Sequence, residues 1–118
     1  MISDLPVFQI YSAMARHAAE TQKVTAENIS RAGEPGFKAQ EVESFTDFME
    51  RASATNDGMS LPTAFRTFEA NSPVAPNGNS VDLESEIFKS AAASNQHNLA
   101  MTVYSKSMDL LRTAVRRR

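Results

Sequence analysis

Twenty-six residues follow Pro6 without a glycine or proline, and then Gly33, Pro35 and Gly36 fall within four positions. That break constrains the fold more than any other feature. The run before it is rich in Ala, Glu, Gln and Met and reads as one long helix over about 3–32, with Ser3 or Asp4 as cap and Pro6 tolerated in the first turn. Gly33 suits a left-handed C-cap, and Pro35 lacks the N–H needed to continue. Gly36 then frees the backbone to turn, so that Phe37 leaves in a new direction.

A second uninterrupted run follows Gly78, and the sequence predicts a helix over about 81–115. Ser80 or Asp82 is the expected N-cap. Asp82, Glu84 and Glu86 sit at the positive end of the helix dipole, and Arg112, Arg116, Arg117 and Arg118 at the negative end. Both helices carry a seam stepping by three and four. In the first it is Phe8, Tyr11, Ala15, Ala18, Gln22, Thr25, Ile29 and Ala32. In the second it is Leu83, Ile87, Ser90, Ser94, His97, Met101, Tyr104, Met108, Leu111 and Val115.

The expected class is therefore all-α: a single domain over 1–118 in which the two helices form an antiparallel hairpin. Facing positions in such a pair have numbers with a constant sum. A sum of 119 places Phe8 against Leu111, Tyr11 against Met108, Ala15 against Tyr104 and Ala18 against Met101. It also sets Gln22 against His97, whereas a one-heptad shift leaves a polar group facing an apolar one, at about 1–3 kcal/mol. Residues 33–80 read as a turn, a short helix near 42–52 (Val42, Phe45, Phe48 and Met49 at helical spacing) and a largely irregular, flexible stretch over 53–80. Leu61, Phe65 and Phe68 fit a short helix or a strand. Asn77-Gly78 suits a hairpin turn, but Pro73 and Pro76 argue against a paired strand upstream.

Phe88, Leu99, Val103 and Leu110 on the second helix, like Ile10, Met14 and Val24 on the first, lie off the seam. Apolar groups on several faces suit burial by neighbouring subunits, or cover by the middle segment folded back over them.

The chain resembles a known family in two places. Asn28-Ile29-Ser30-Arg31-Ala32-Gly33-Glu34-Pro35-Gly36-Phe37-Lys38-Ala39 resembles the N-I-A-N-A-x-T-P-G-Y-K-A signature of bacterial flagellar axial proteins, the rod, hook and hook-associated proteins. Asn28, Ile29, Ala32, Pro35, Gly36, Lys38 and Ala39 match, and Phe37 stands for the aromatic. Ser30-Arg31 replaces Ala-Asn and Glu34 replaces Thr, which leaves the helix-stop chemistry intact. Asn77-Gly78-Asn79-Ser80-Val81-Asp82-Leu83-Glu84, followed by Glu86, resembles the G-N-x-V-D-L-E-x-E run of rod members. Hook proteins insert large β domains between the helices, and the short interior here suits a rod protein.

The resemblance implies a structural subunit of the flagellar basal-body rod, exported by the flagellar type III apparatus without signal cleavage and polymerising through its terminal helices. Its implied partners are other rod proteins, the adaptor FliE and the MS-ring base. Read without the family, the same faces fit a small cytoplasmic helical adaptor or chaperone holding a partner helix, or a basic-tailed nucleic-acid binder.

Composition narrows the remaining classes. A net charge of -2 gives no global drive toward nucleic acid or anionic membrane, and three terminal arginines are explained by the helix dipole. No apolar run approaches the roughly 18–20 residues of a membrane span, and the first six residues lack a Sec-type n-region and h-region. There is no cysteine, so disulfides and thiolate metal sites are absent. His17 and His97 sit on different helices outside any metalloprotease spacing, and no nucleophile elbow or phosphate loop occurs. No catalytic residue, cofactor or metal site is expected.

Overall fold

The computed structural model describes residues 6–55 and 64–117. The elements are α1 (Pro6–Ser30), β1 (Gln40–Val42), α2 (Phe45–Thr55), β2 (Thr67–Glu69) and α3 (Leu83–Arg116). The chain is an elongated body of 67 × 28 × 15 Å. Its long axis is the pairing of α1 with α3, which run antiparallel because Phe8 meets Tyr104 and Asn28 meets Glu86. Pro6 opens α1, where its missing N–H goes unused. The proposed caps Ser3 and Asp4 lie outside the described residues.

The fold is mostly helical but not purely so. β1 and β2 pair antiparallel in the register Gln40↔Glu69, Glu41↔Phe68, Val42↔Thr67. Val42 therefore belongs to a strand, and the short helix starts three residues later than expected. Ser44 sets that start: its Oγ accepts from the Asp47 N–H at 3.0 Å, the bond of a serine N-cap. The expectation of a largely irregular 53–80 holds for most of the described part, with two departures: α2 runs on to Thr55, and 67–69 form β2. Residues 56–63 lie outside the described part, but 64–80 hold a strand, a turn and the buried Asn79 and Ser80. Pro73 and Pro76 do not obstruct the strand because both fall after it, and Pro76 shapes the turn closed by the Gly78 N–H on the Ala75 carbonyl at 2.8 Å.

The seam and register differ from those expected. On α3 the buried positions are Glu86, Ala93 and Ala100, one heptad apart, and half-buried Ser107 continues the line. Small side chains let the α1 backbone approach, so α3 turns its small face inward and leaves larger groups outside. Ser90, His97, Tyr104 and Leu111 do flank the seam, but Ile87 is 60% and Met101 46% exposed, Leu83 and Val115 are exposed, and Ile29 on α1 is 38% exposed. Phe8 and Ala18 are buried as expected, with Tyr11, Ala15 and Met108 half-buried.

The Phe8 ring stands edge-on to Tyr104 at 5.1 Å, not against Leu111. Partners Phe8–Tyr104, His17–Gln96 and Asn28–Glu86 have position numbers that add to 112, 113 and 114, about a heptad from the expected 119. Gln22 and His97 are only half-buried, so water relieves the penalty that the expected polar layer was meant to avoid.

Candidate functional site: the junction of the two motifs

The two motif segments, far apart in sequence, dock on each other where α1 ends and α3 begins. Asn28 is the first contact. Its amide Nδ2 donates to the Gln40 carbonyl at 2.8 Å while its Oδ1 accepts from the Gln40 N–H at 3.1 Å, so the side chain pairs with β1 as a neighbouring strand would. The same Nδ2 donates to Glu86 Oε1. Glu86 is 1% exposed, and its charge is met by Lys89 Nζ at 3.6 Å, which also reaches Glu41 Oε1 at 3.3 Å. A carboxylate this deep persists because it is both hydrogen-bonded and paired. The heptad spacing of Glu86 with Ala93 and Ala100 was the sequence signal that it faces inward.

Asn79 makes the second contact. Its Nδ2 donates to the Arg31 and Glu34 carbonyls at 2.9 and 2.7 Å, adding a second donor to two turn carbonyls just past the end of α1, and its Oδ1 accepts from the Val81 N–H at 2.8 Å. Ser80 locks the exit strand: its N–H donates to the Phe37 carbonyl at 3.0 Å and its Oγ accepts from the Ala39 N–H at 2.8 Å. Lys38 Nζ donates to the Gly78 carbonyl at 2.9 Å, and the Gly36 N–H to Asn77 at 2.9 Å.

The glycines divide the work differently from the expectation. Gly36 has φ +77° and follows Pro35 in a turn closed by the Phe37 N–H on the Glu34 carbonyl, and Gly78 has φ +86°. A Cβ on Gly78 would stand 3.2 Å from the Gly36 Cα, so the two backbones cross at near-contact. Gly33 has no positive φ and nothing within 4 Å of a built Cβ; it is not the left-handed cap. Helix α1 ends instead in tightened i→i+3 bonds such as Ala32 N–H to Ile29.

The other motif residues take lesser places. Phe37 is half-buried under the Arg31 guanidinium at 5.4 Å, and Pro35 is exposed. Ala32 and Val81 are half-buried, whereas Leu83 and Glu84 face solvent. Asp82 occupies the N-cap position but makes no side-chain capping bond, and the Glu86 N–H takes its carbonyl at 2.9 Å.

A second polar lock that sequence reading missed lies behind the junction. Glu43 accepts from Arg51 Nη2 at 2.5 Å and from the Arg66 N–H at 2.8 Å, tying β1 to α2 and to the residue before β2. Burial pushes its carboxyl up, but the hydrogen bonds from Arg51 and Arg66 outweigh this and hold it below the ordinary carboxylate value. The Glu43 carbonyl accepts from His17 Nε2 at 2.6 Å, and Gln96 Nε2 donates to His17 Nδ1 at 3.0 Å and to Met14. The carbonyl at Nε2 calls for a proton on that nitrogen, and the His17 ring packs on Phe45 and Phe65. These partners come from four separate segments, which is why no local pattern announced them.

Among the described residues every buried side-chain nitrogen or oxygen has a partner, and no group of three His, Cys, Asp or Glu converges as a metal site would require. No helix among them is long and apolar enough to cross a membrane. The junction's chemistry is cohesion, holding two helices and a strand pair at fixed angles. No protein-family model matches the sequence, and no curated protein matches it.

Proposed function

We propose that the chain is a structural subunit of a helical shaft, of the class of bacterial flagellar axial proteins. More narrowly, it is a subunit of the proximal rod of the flagellar basal body, similar to FlgB. The observation that carries this reading is the docking of the two family-like segments, residues 28–39 and 77–86, on each other through Asn28, Glu86, Asn79 and Ser80. Residues that resemble a family signature are here the ones that fix the angle between the terminal helices. A long body with apolar groups on its outer faces, Ile87, Phe88, Leu99 and Leu110 among them, fits a subunit packed on all sides by others.

In this reading the chain leaves the cytoplasm through the flagellar type III exporter without signal cleavage. It then meets other rod proteins, FliE and the MS-ring base in the periplasmic basal body, and transmits torque by stiffness alone. Fractionation tests it: the tagged chain should travel with purified basal bodies, and deletion of its gene should abolish motility. A fully motile deletion strain, with the chain held by a cytosolic partner, would overturn the rod in favour of a helical adaptor.

A further inference from the structure

Asn77-Gly78 is the only Asn-Gly step in the chain. Of all asparagine steps this is the one most prone to close on itself. The Gly78 nitrogen can attack the side-chain carbonyl carbon of Asn77, and a glycine there puts no Cβ in the way. The N–Cγ bond forms, the Cγ–Nδ2 bond breaks, and ammonia leaves with the proton lost by the Gly78 nitrogen. Water then opens the cyclic imide at either carbonyl, giving aspartate or isoaspartate.

Asn77 is exposed, so water and base reach it. The fold instead holds apart the groups that must meet. The Gly78 N–H is kept on the Ala75 carbonyl at 2.8 Å, and Asn77 Oδ1 accepts from the Asn79 N–H at 3.1 Å. The step is pinned on both sides as well. The Asn77 carbonyl takes the Gly36 N–H at 2.9 Å, and the Gly78 carbonyl takes Lys38 Nζ at 2.9 Å. For attack, the Asn77 side chain must swing onto the Gly78 nitrogen and that nitrogen must give up its proton, and both movements break bonds of the junction. Asn79 and Ser80, buried just beyond, anchor the segment in place.

The site also discriminates between the products. Aspartate leaves the main chain as it was and still offers Oδ1 to Asn79. Isoaspartate routes the main chain through Cγ and lengthens it by one methylene. The crossing has no room for that, since even a Cβ on Gly78 would stand 3.2 Å from the Gly36 Cα.

We propose that Asn77-Gly78 is a self-modification site gated by the junction. It reacts when residues 75–80 lift away from residues 36–39, and isoaspartate formed there keeps the segment from docking again. The opening is local and costs less than separating the helix pair. The inference does not depend on the rod reading.

The test incubates the full chain in mildly alkaline buffer with and without urea, and follows Asn77 by mass spectrometry of its peptides. Asn77 should convert at least about tenfold more slowly in the folded chain than in urea. Asn79→Ala, which frees the segment from the Arg31 and Glu34 carbonyls, should raise the folded rate about threefold or more relative to its own rate in urea. Ala100→Leu, which loosens the helix seam away from the junction, should leave the folded rate unchanged. On return from urea, chains carrying aspartate should recover the native Tm, and chains carrying isoaspartate should melt lower. A folded chain that converts as fast as the unfolded one overturns the gate. So does equal acceleration by Ala100→Leu, which would mean that only global unfolding exposes the step. Isoaspartate chains that melt like the native protein overturn the block to docking.

Discussion

Replacing Asn28 by alanine removes a side chain that joins α1 to both β1 and α3. Three hydrogen bonds vanish: two to the Gln40 backbone and one to Glu86. Gln40 lies at the surface, so water replaces part of what its N–H and carbonyl lose. Glu86, at 1% exposure, has no such recourse and keeps only Lys89. A buried group left short of a partner costs about 1–3 kcal/mol, more when it is charged, so Asn28→Ala should destabilise by about 3–4 kcal/mol. For a chain of this size that lowers the Tm by roughly 10–20 °C. Urea melts followed by circular dichroism at the helix band measure it directly. Glu86→Gln, which keeps an acceptor for Asn28, should lose less, about 1–2 kcal/mol. The cycle of Asn28→Ala with Glu86→Ala should show at least about 1 kcal/mol of coupling, because each single variant strands the other's partner. A loss below about 1 kcal/mol for Asn28→Ala, or strictly additive variants, would refute the view that this contact holds the junction.

The glycines offer a paired test by thermal melting. Gly78→Ala should destabilise by about 1–3 kcal/mol, from its positive φ and the 3.2 Å approach to Gly36, whereas Gly33→Ala should be neutral or slightly stabilising. The inner seam can be checked the same way: Ala100→Leu should overpack against α1 and lose about 1–3 kcal/mol, while Met101→Ala next to it stays within about 0.5 kcal/mol. Phe48→Ala should remove about 3–5 kcal/mol from the aromatic cluster with Phe45 and Phe65, read as proteolysis within α2 as well as a lower urea midpoint. Glu43 sets a pH dependence. Its carboxyl is held below its ordinary value of 4.5, so its contribution is complete above that value and fades as pH falls through the depressed one. Glu43→Gln should lower stability at pH 7 and flatten acid unfolding below pH 4.5.

What the sequence determined by itself is what depends on neighbours along the chain. Two long runs without glycine or proline must be helices, and Pro35-Gly36 must end the first, because these residues act through their own backbone torsions. Helix α3 came within two residues of its expected span, and Gly36 turned as its chemistry requires. Which face of α3 turns inward was not decided locally. The helix carries apolar groups on three sides, and a sequence ranks Met101 and Ile87 above Ala93 and Ala100 because it weighs bulk. The structure prefers the small residues, since close approach of α1 needs them and the larger groups can lie outside. Register followed the same rule. The half-buried Gln22 and His97 could shift without penalty, whereas Asn28 with Glu86 and His17 with Gln96 could not, and those pairings join positions 58 and 79 residues apart. The strand pair was hidden for the same reason. Three residues on each side make no pattern, and β1 exists because Asn28 on one edge and β2 on the other satisfy its backbone.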